Sequence, residues 1–278
     1  MSATLDNVET WSGKGRTDEN FPVGAIVAPH LRGHVHAFYA FARNADDIAD
    51  SAELAPEDKI ARLNVMEDVL LGRAEHGSPS GLGLRRSLAE TGVTPDHACE
   101  LLIAFRQDAT KHRYASWQEL YDYCRYSAMP VGRHVLDLHG EDRASWAPSD
   151  ALCTTLQVLN HLQDGKKDLL ALGRCYLPDD LMRRFGTGVD DLLGAGETPG
   201  LRRTFDALLD ECDALNTAGA DLPRHVRDRR LRLETSVIVS LAHRLTRRLR
   251  AGDPVGTRVK LTRTDAVFSI AASLRYLP

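Results

Sequence analysis

The stretch Phe38-Tyr39-Ala40-Phe41-Ala42-Arg43-Asn44-Ala45-Asp46-Asp47-Ile48-Ala49-Asp50 sets three carboxylates within five residues. It reads as one helix. Asp46 and Asp50 are four apart, so they share a face about one turn from each other, and Asp47 flanks that face. Arg43 lies one turn before Asp46, and Tyr39 one turn before Arg43. Like charges at this spacing destabilise a helix by a few tenths of a kcal/mol per pair, roughly. Aspartate is also a poor interior helix former. A hard divalent cation on oxygen ligands would offset that cost, and Mg²⁺ typically takes one or two carboxylates plus substrate phosphates. The alternative is a solvated acidic face. Phe38, Phe41 and Ile48 argue against it, because they make the helix half buried.

A second stretch has the same character. In Gln157-Val158-Leu159-Asn160-His161-Leu162-Gln163-Asp164-Gly165-Lys166-Lys167-Asp168, the residues Gln157, Asn160, Asp164 and Asp168 fall at spacings of three, four and four. On a helix that is one polar stripe, with Val158, Leu159 and Leu162 on the other faces. Amides and carboxylates in an otherwise apolar helix suit a cavity lining. Two such helices facing each other across a bundle would hold metal ions between them.

Composition narrows the class. A chain of 278 residues can bury a large core. The formal charge of −4 is mild and argues against a general nucleic-acid binder, which would want a basic stripe. No apolar run is long enough to cross a bilayer. Met1 to Asn20 has no apolar signal segment, so the expected location is cytoplasmic. The five cysteines are scattered and form no CxxC pair, which fits reduced thiols rather than disulfides or a zinc site.

The rest of the chain reads as helices. Residues 1–20 are expected to be a loose leader and 21–278 a single bundle-like domain. Glu19-Asn20-Phe21-Pro22-Val23 would begin the ordered part, and a first helix would run over about 30–53. Pro56 starts a second, ending at Gly72. Gly77–Gly83 reads as a loop, followed by helices at about 83–91 and 95–109. Ser116, with Glu119 three residues on, is a capping box. The helix it opens is interrupted at Met129-Pro130-Val131-Gly132 and resumes at Arg133 to Leu138. Pro148 and Ser149 open the second-motif helix, about 149–171, which Gly173 closes. Short helices near 178–184 and 188–194, long ones over 198–219 and 223–250, and a last one over 264–274 complete the pattern. No period-two strand signal survives, so the expected class is all-α.

Three patterns in this order resemble the squalene/phytoene synthase family. They are Tyr39-x3-Arg43-x2-Asp46-Asp47-x2-Asp50, then Tyr123-Cys124-x-Tyr126-x-Ala128-x2-Val131-Gly132, then Gln157-x2-Asn160-x3-Asp164-x3-Asp168 followed by Arg174-x-Tyr176. Finer features are similar to a bacterial branch that makes hydroxysqualene for hopanoid biosynthesis. These include Arg113-Tyr114, Tyr126-Ser127-Ala128-Met129-Pro130-Val131-Gly132-Arg133 and Gly173-Arg174-x-Tyr176-Leu177-Pro178. The chain departs from the wider family at Lys167, where an acidic residue is usual, at Glu19 and Asn20, and in lacking a tyrosine in the late helix.

The resemblance implies an isoprenoid-synthase helical bundle around a central cavity. It implies Mg²⁺ as cofactor and an isoprenoid diphosphate as substrate. The activity implied is conversion of presqualene diphosphate and water to hydroxysqualene and diphosphate. The alternative within the family is head-to-head condensation of two prenyl diphosphates. A non-catalytic scaffold would be expected to have damaged aspartate motifs, and a metal-dependent phosphohydrolase would want histidine ligands. Asp46, Asp47 and Asp50 are assigned to one metal cluster, and Asp164, Asp168 and Asn160 to the other. Gln157, Asn160, Lys111, Arg113, Arg174, Tyr176, Arg258 and Lys260 would contact the diphosphate substrate. Tyr39, Arg43, Tyr123 and Tyr126 are the candidate catalytic residues, the tyrosines because aromatic faces stabilise a cation. His161 lies beside the polar stripe and is expected to pack rather than react. Expected partners are a membrane surface touched peripherally and other squalene-pathway enzymes, with no nucleic acid and no nicotinamide cofactor.

Overall fold

The computed structural model describes residues 7–9 and 27–276. The Glu19–Val23 pattern lies outside the described residues. Within the expected leader only Asn7, Val8 and Glu9 are described, and they are docked. Val8 is fully buried and its N–H donates to the Gly77 carbonyl at 2.8 Å. The Glu9 carboxylate accepts from the Ser80 N–H at 2.8 Å, at the start of a helix, where an acid is favoured.

Among the described residues the fold is all-α, with no strand and one isolated bridge between Asn7 and Gly77. The helices are α1 (Arg32–Asp50), α2 (Pro56–Leu70), α3 (Pro79–Thr91), α4 (Asp96–Asp108), α5 (Trp117–Ser127), α6 (Met129–Leu138), α7 (Trp146–Leu172), α8 (Asp179–Phe185), α9 (Pro199–Gly219), α10 (Leu222–His225), α11 (Arg229–Ala251) and α12 (Arg263–Ser273). They sort into two compact units. One holds residues 1–111 and 133–140, the other 112–132 and 141–278.

In the first unit α1 packs on α2, α3 and α4. Phe41, Ala45, Ile48 and Ala49 of α1 are fully buried, with Leu63, Met66 and Val69 of α2, Leu84 of α3 and Leu102 of α4. Each large apolar side chain so buried contributes roughly 1.5–3 kcal/mol. The buried residues of α1 include Asp47, while Asp46 and Asp50 lie at the edge of the core.

In the second unit α7 packs against α5, α9 and α11. Val158 and Leu159 of α7, Leu201, Leu209 and Cys212 of α9, and Ala242 and Leu245 of α11 are fully buried. A buried hydrogen bond from Asn216 Nδ2 to Thr246 Oγ1, 3.0 Å, ties α9 to α11. Helix α7 runs 27 residues and ends at Gly173, whose φ of 66° favours glycine.

Local chemistry explains most boundaries. Ser116 accepts from the Glu119 N–H at 3.3 Å, but the Glu119 carboxylate reaches back to the Ala115 N–H rather than that of Ser116. Three expectations need correction. The helix expected over 223–250 is two, α10 and α11, parted at residues 226–228, where Asp228 caps α11 by accepting from the Leu231 N–H. Gly77–Gly83 is not all loop. Ser78 caps α3 by accepting from the Gly81 N–H, and Pro79 takes the first helical position, where its missing N–H costs nothing. The α5–α6 break falls at Ala128 (φ −126°), and the helix resumes at Met129 rather than Arg133. Pro130 sits in that first turn, which tolerates it.

Gly132 sits where α6 meets α7. A Cβ placed there would lie 2.4 Å from Ser149 Oγ and 2.6 Å from Cys153 Sγ. Gly132→Ala should therefore lower stability by about 1–3 kcal/mol in urea unfolding. Adding Ser149→Ala and Cys153→Ala should restore part of the loss. An unchanged midpoint in the single variant would show that the approach is looser than described.

Candidate active site

The first unit supplies an acidic cluster. Arg43 Nη1 lies 3.1 Å from Asp46 Oδ2, and Arg43 Nε lies 3.4 Å from Asp47 Oδ1. Asp47 is buried, while Asp46 and Asp50 are half-buried. Burial and then the neighbouring Asp50 carboxylate push Asp46 up to about 8, against the pull of Arg43. Asp108 and Asp47 push in the same direction. The Asp46 side chain keeps 34% of its surface open, and the water reaching it screens part of this effect. The direction stands on the crowd of carboxylates, against which Arg43 is the one cation that pulls Asp46 down.

Asp108 is the residue that sequence reasoning missed. It is the last residue of α4 and is buried. An acid at a helix C-terminus runs against the macrodipole, which is the one signal that could have flagged it. Lys59 Nζ donates to the Ala49 carbonyl at 3.0 Å and holds the C-terminal end of α1. Tyr39 and Lys111 also belong to this unit, both half-buried.

The second unit supplies the polar stripe. Gln157, Asn160, Asp164 and Asp168 are all half-buried on α7, while Val158, Leu159 and Leu162 between them are buried. Arg258 Nη2 lies 3.0 Å from Asp164 Oδ1 and 3.1 Å from its Oδ2, so it straddles both oxygens. The segment carrying Arg258 is pinned by Gln163, whose Nε2 donates to the Val259 carbonyl at 2.7 Å. Lys166 turns away to the Gly194 carbonyl, and Lys167 is exposed. The lysine that departs from the wider family therefore lies off the half-buried stripe.

Beside the stripe is an aromatic cluster. The backbone of His112, Tyr114 and Ala115 accepts from Cys175, Asp179 and Asp180, which lays Tyr114 beside Tyr176 with rings 5.7 Å apart. Tyr123 stands 5.3 Å from Tyr114 and 6.0 Å from Tyr176. His161 stacks on Tyr176 at 3.5 Å. Burial, with Arg174 nearby, pushes His161 down to about 3, so it is neutral at ordinary pH. The packing expected of His161 is what the structure shows. Arg174 is buried here. Tyr126 is half-buried with Arg125 beside its ring. Arg113 pairs with Asp179, and Lys260 is exposed.

The candidate metal ligands are all oxygens, which suits a hard cation. No group of three or more His, Cys, Asp or Glu forms a ready-made metal cage among the described residues. Mg²⁺ needs none, because it keeps waters and shares its shell with substrate phosphates. The carboxylates gathered about Asp46 fit such an ion, since they offer several oxygens at one end of α1.

A model of the squalene/phytoene synthase family matches residues 15–265. The hydroxysqualene synthase of Rhodopseudomonas palustris is 46% identical over 262 residues, 94% of this chain and 89% of that protein. That of Zymomonas mobilis is 40% identical over 259 residues, 92% and 87% of the two chains. The solved structure of squalene synthase HpnC from Alicyclobacillus acidocaldarius matches with a TM-score of 0.74 at 34% identity, over 85% of this chain and 90% of that one. A dehydrosqualene synthase solved with a ligand shares the fold, with a TM-score of 0.75 at 20% identity over 94% and 93%.

The raised Asp46 carboxyl makes a stability prediction. Its folded form holds a proton more tightly than its unfolded form, so the cation-free fold loses stability as pH rises from about 4 to about 8. Asp46→Asn removes that loss. Thermal melts without divalent cations should show the variant gaining more over wild type at pH 8.5 than at pH 5. Equal gains at both values would refute the crowding.

Proposed function

The chain belongs to the squalene/phytoene synthase family, and we propose that it forms hydroxysqualene from presqualene diphosphate and water. The carrying observation is the carboxylate crowd on α1, which pushes Asp46 up and calls for cations. The relatives named hydroxysqualene synthase, at 40% and 46% identity over most of both chains, support the branch.

In this reading the C–O bond to diphosphate breaks, the cyclopropylcarbinyl cation rearranges, and water adds to it. The water's second proton leaves to solvent, and inorganic diphosphate departs. Bound Mg²⁺ would supply the positive charge that neutralises the leaving diphosphate. Asp46, Asp47 and Asp50 would hold ions in one unit, with Asp108 adding charge behind them. Asn160, Asp164 and Asp168 would hold ions in the other. Arg258, seated on Asp164, would bridge from that carboxylate to a phosphate oxygen, and Arg174 and Lys111 would add further contacts. The planar fork of arginine suits phosphate. Tyr123 and Tyr176 offer aromatic faces to a cation, each worth roughly 0.5–2 kcal/mol. Neutral His161 adds no charge to repel it.

Purified protein with Mg²⁺ and presqualene diphosphate, and no nicotinamide cofactor, should yield hydroxysqualene by lipid mass spectrometry. Asp46→Asn and Asp164→Asn should each abolish it. Presqualene diphosphate or phytoene formed from prenyl diphosphates instead would move the protein to the condensing branch.

Arg258→Ala should lower kcat/KM by about tenfold or more, the size of a lost charge-assisted contact. Unchanged kinetics would mean that Arg258 only neutralises Asp164.

A further inference from the structure

Helix α12 is inside out. Asp265, Ser269 and Ser273, four residues apart, form its buried face against α11. Val267, Phe268, Ile270 and Leu274 stand 64%, 59%, 54% and 54% exposed. Val267, Ile270, Ala271 and Leu274 follow helical spacing on the face opposite the serines, and Phe268 flanks it. An ordinary surface helix does the reverse. The small buried side chains let α12 lie close to α11. The one acid in the helix is masked, with Arg248 Nε 2.6 Å and Arg244 Nη1 3.6 Å from its carboxylate.

The charge around this face is one-sided. Of the eight arginines and lysines in residues 244–276, Arg244 and Arg248 pair with Asp265, Arg250 with Asp206, Asp210 and Asp213, and Arg258 with Asp164, while Arg247, Lys260, Arg263 and Arg275 are exposed. Arg263 and Arg275 are exposed at the two ends of the apolar stripe, and Arg244 lies over the Phe268 ring at 5.2 Å. At 11 residues α12 is too short to cross a bilayer, and no helix of the described residues is long and apolar enough to do so. An apolar helix face bordered by arginines fits the interface of an anionic bilayer, with the side chains in the acyl boundary and the guanidinium groups among the head groups.

We propose that α12 docks the protein on anionic membrane surfaces through Val267, Phe268, Ile270 and Leu274. The surface is read from exposure and charge. It rests on the proposed function only in that a water-insoluble product gives the enzyme a reason to sit there.

The test is sedimentation with vesicles of phosphatidylglycerol and phosphatidylcholine, without substrate. Wild type should pellet with the mixed vesicles, and less as salt rises. Phe268→Ser with Ile270→Ser should weaken partitioning about tenfold or more, since two large apolar side chains lose their burial. Both side chains are more than half exposed, so the melting temperature should hold. Arg263→Gln with Arg275→Gln should weaken binding to the mixed vesicles only. Wild type remaining in the supernatant would overturn the proposal, as would a serine variant that binds like wild type. So would a wild-type dimer in light scattering that the serine variant splits while vesicles bind neither. Turnover of detergent-dispersed substrate should be unchanged in the variants. Its complete absence in wild type would count against the proposed function and leave the docking result standing.

Discussion

Holding several carboxylates close together at a partly buried helix end is the constraint on which the site depends. Asp46, Asp47 and Asp50 occupy one end of α1, and Asp108 adds its field from α4. Like charges at such spacings oppose folding, and burial raises the cost. The fold meets it by burying the apolar side of α1 in the core of its unit. Phe41, Ala45, Ile48 and Ala49 are fully buried, and Arg43 bridges two of the acids. Lys59 caps the same end of the helix. The core thus carries a strain that a bound cation would relieve, which ties stability to ligand state.

The two units handle their acids differently. In the first, one arginine reaches two aspartates of the same helix. In the second, Asp164 meets Arg258 across both its oxygens, and the lysines of the motif leave the stripe. One cluster is bridged from within its own helix and the other from a segment far along the chain. A guanidinium that already sits on a carboxylate can shift to a phosphate without exposing a bare charge, because its fork has donors to spare.

Much of this was legible in the sequence because it is local. Helical spacing placed both polar stripes on helices that exist. Pro56, Ser116 and Gly173 marked boundaries that the structure keeps, each through its own backbone chemistry. What was not legible is tertiary. Asp108 looked like an ordinary helix end until its burial near Asp46 was seen. Tyr114 stands in the Arg113-Tyr114 pattern, but nothing local says what it packs on, and it joins Tyr123 and Tyr176 because two distant segments pair by backbone hydrogen bonds. Gly77–Gly83 carries the glycine and proline that usually mark a loop, yet Pro79 fits a first helical turn as well as a turn. Arg258 and Asp164 are far apart in sequence, so nothing local pairs them.

The chain breaks the ordinary folding rules in two places, and they differ in kind. At α1 it gathers like charges on a half-buried face. At α12 it turns apolar side chains outward and hides serines. Neither arrangement helps the isolated chain to fold, and each would be relieved by something the chain does not contain: a cation in the first case, an apolar medium in the second. A pattern that conflicts with its own local environment is strained on behalf of a partner more often than by accident. The cores of the two units, by contrast, follow the rules throughout, with apolar stripes inward and caps where the backbone needs them. The stability they supply lets both exceptions persist.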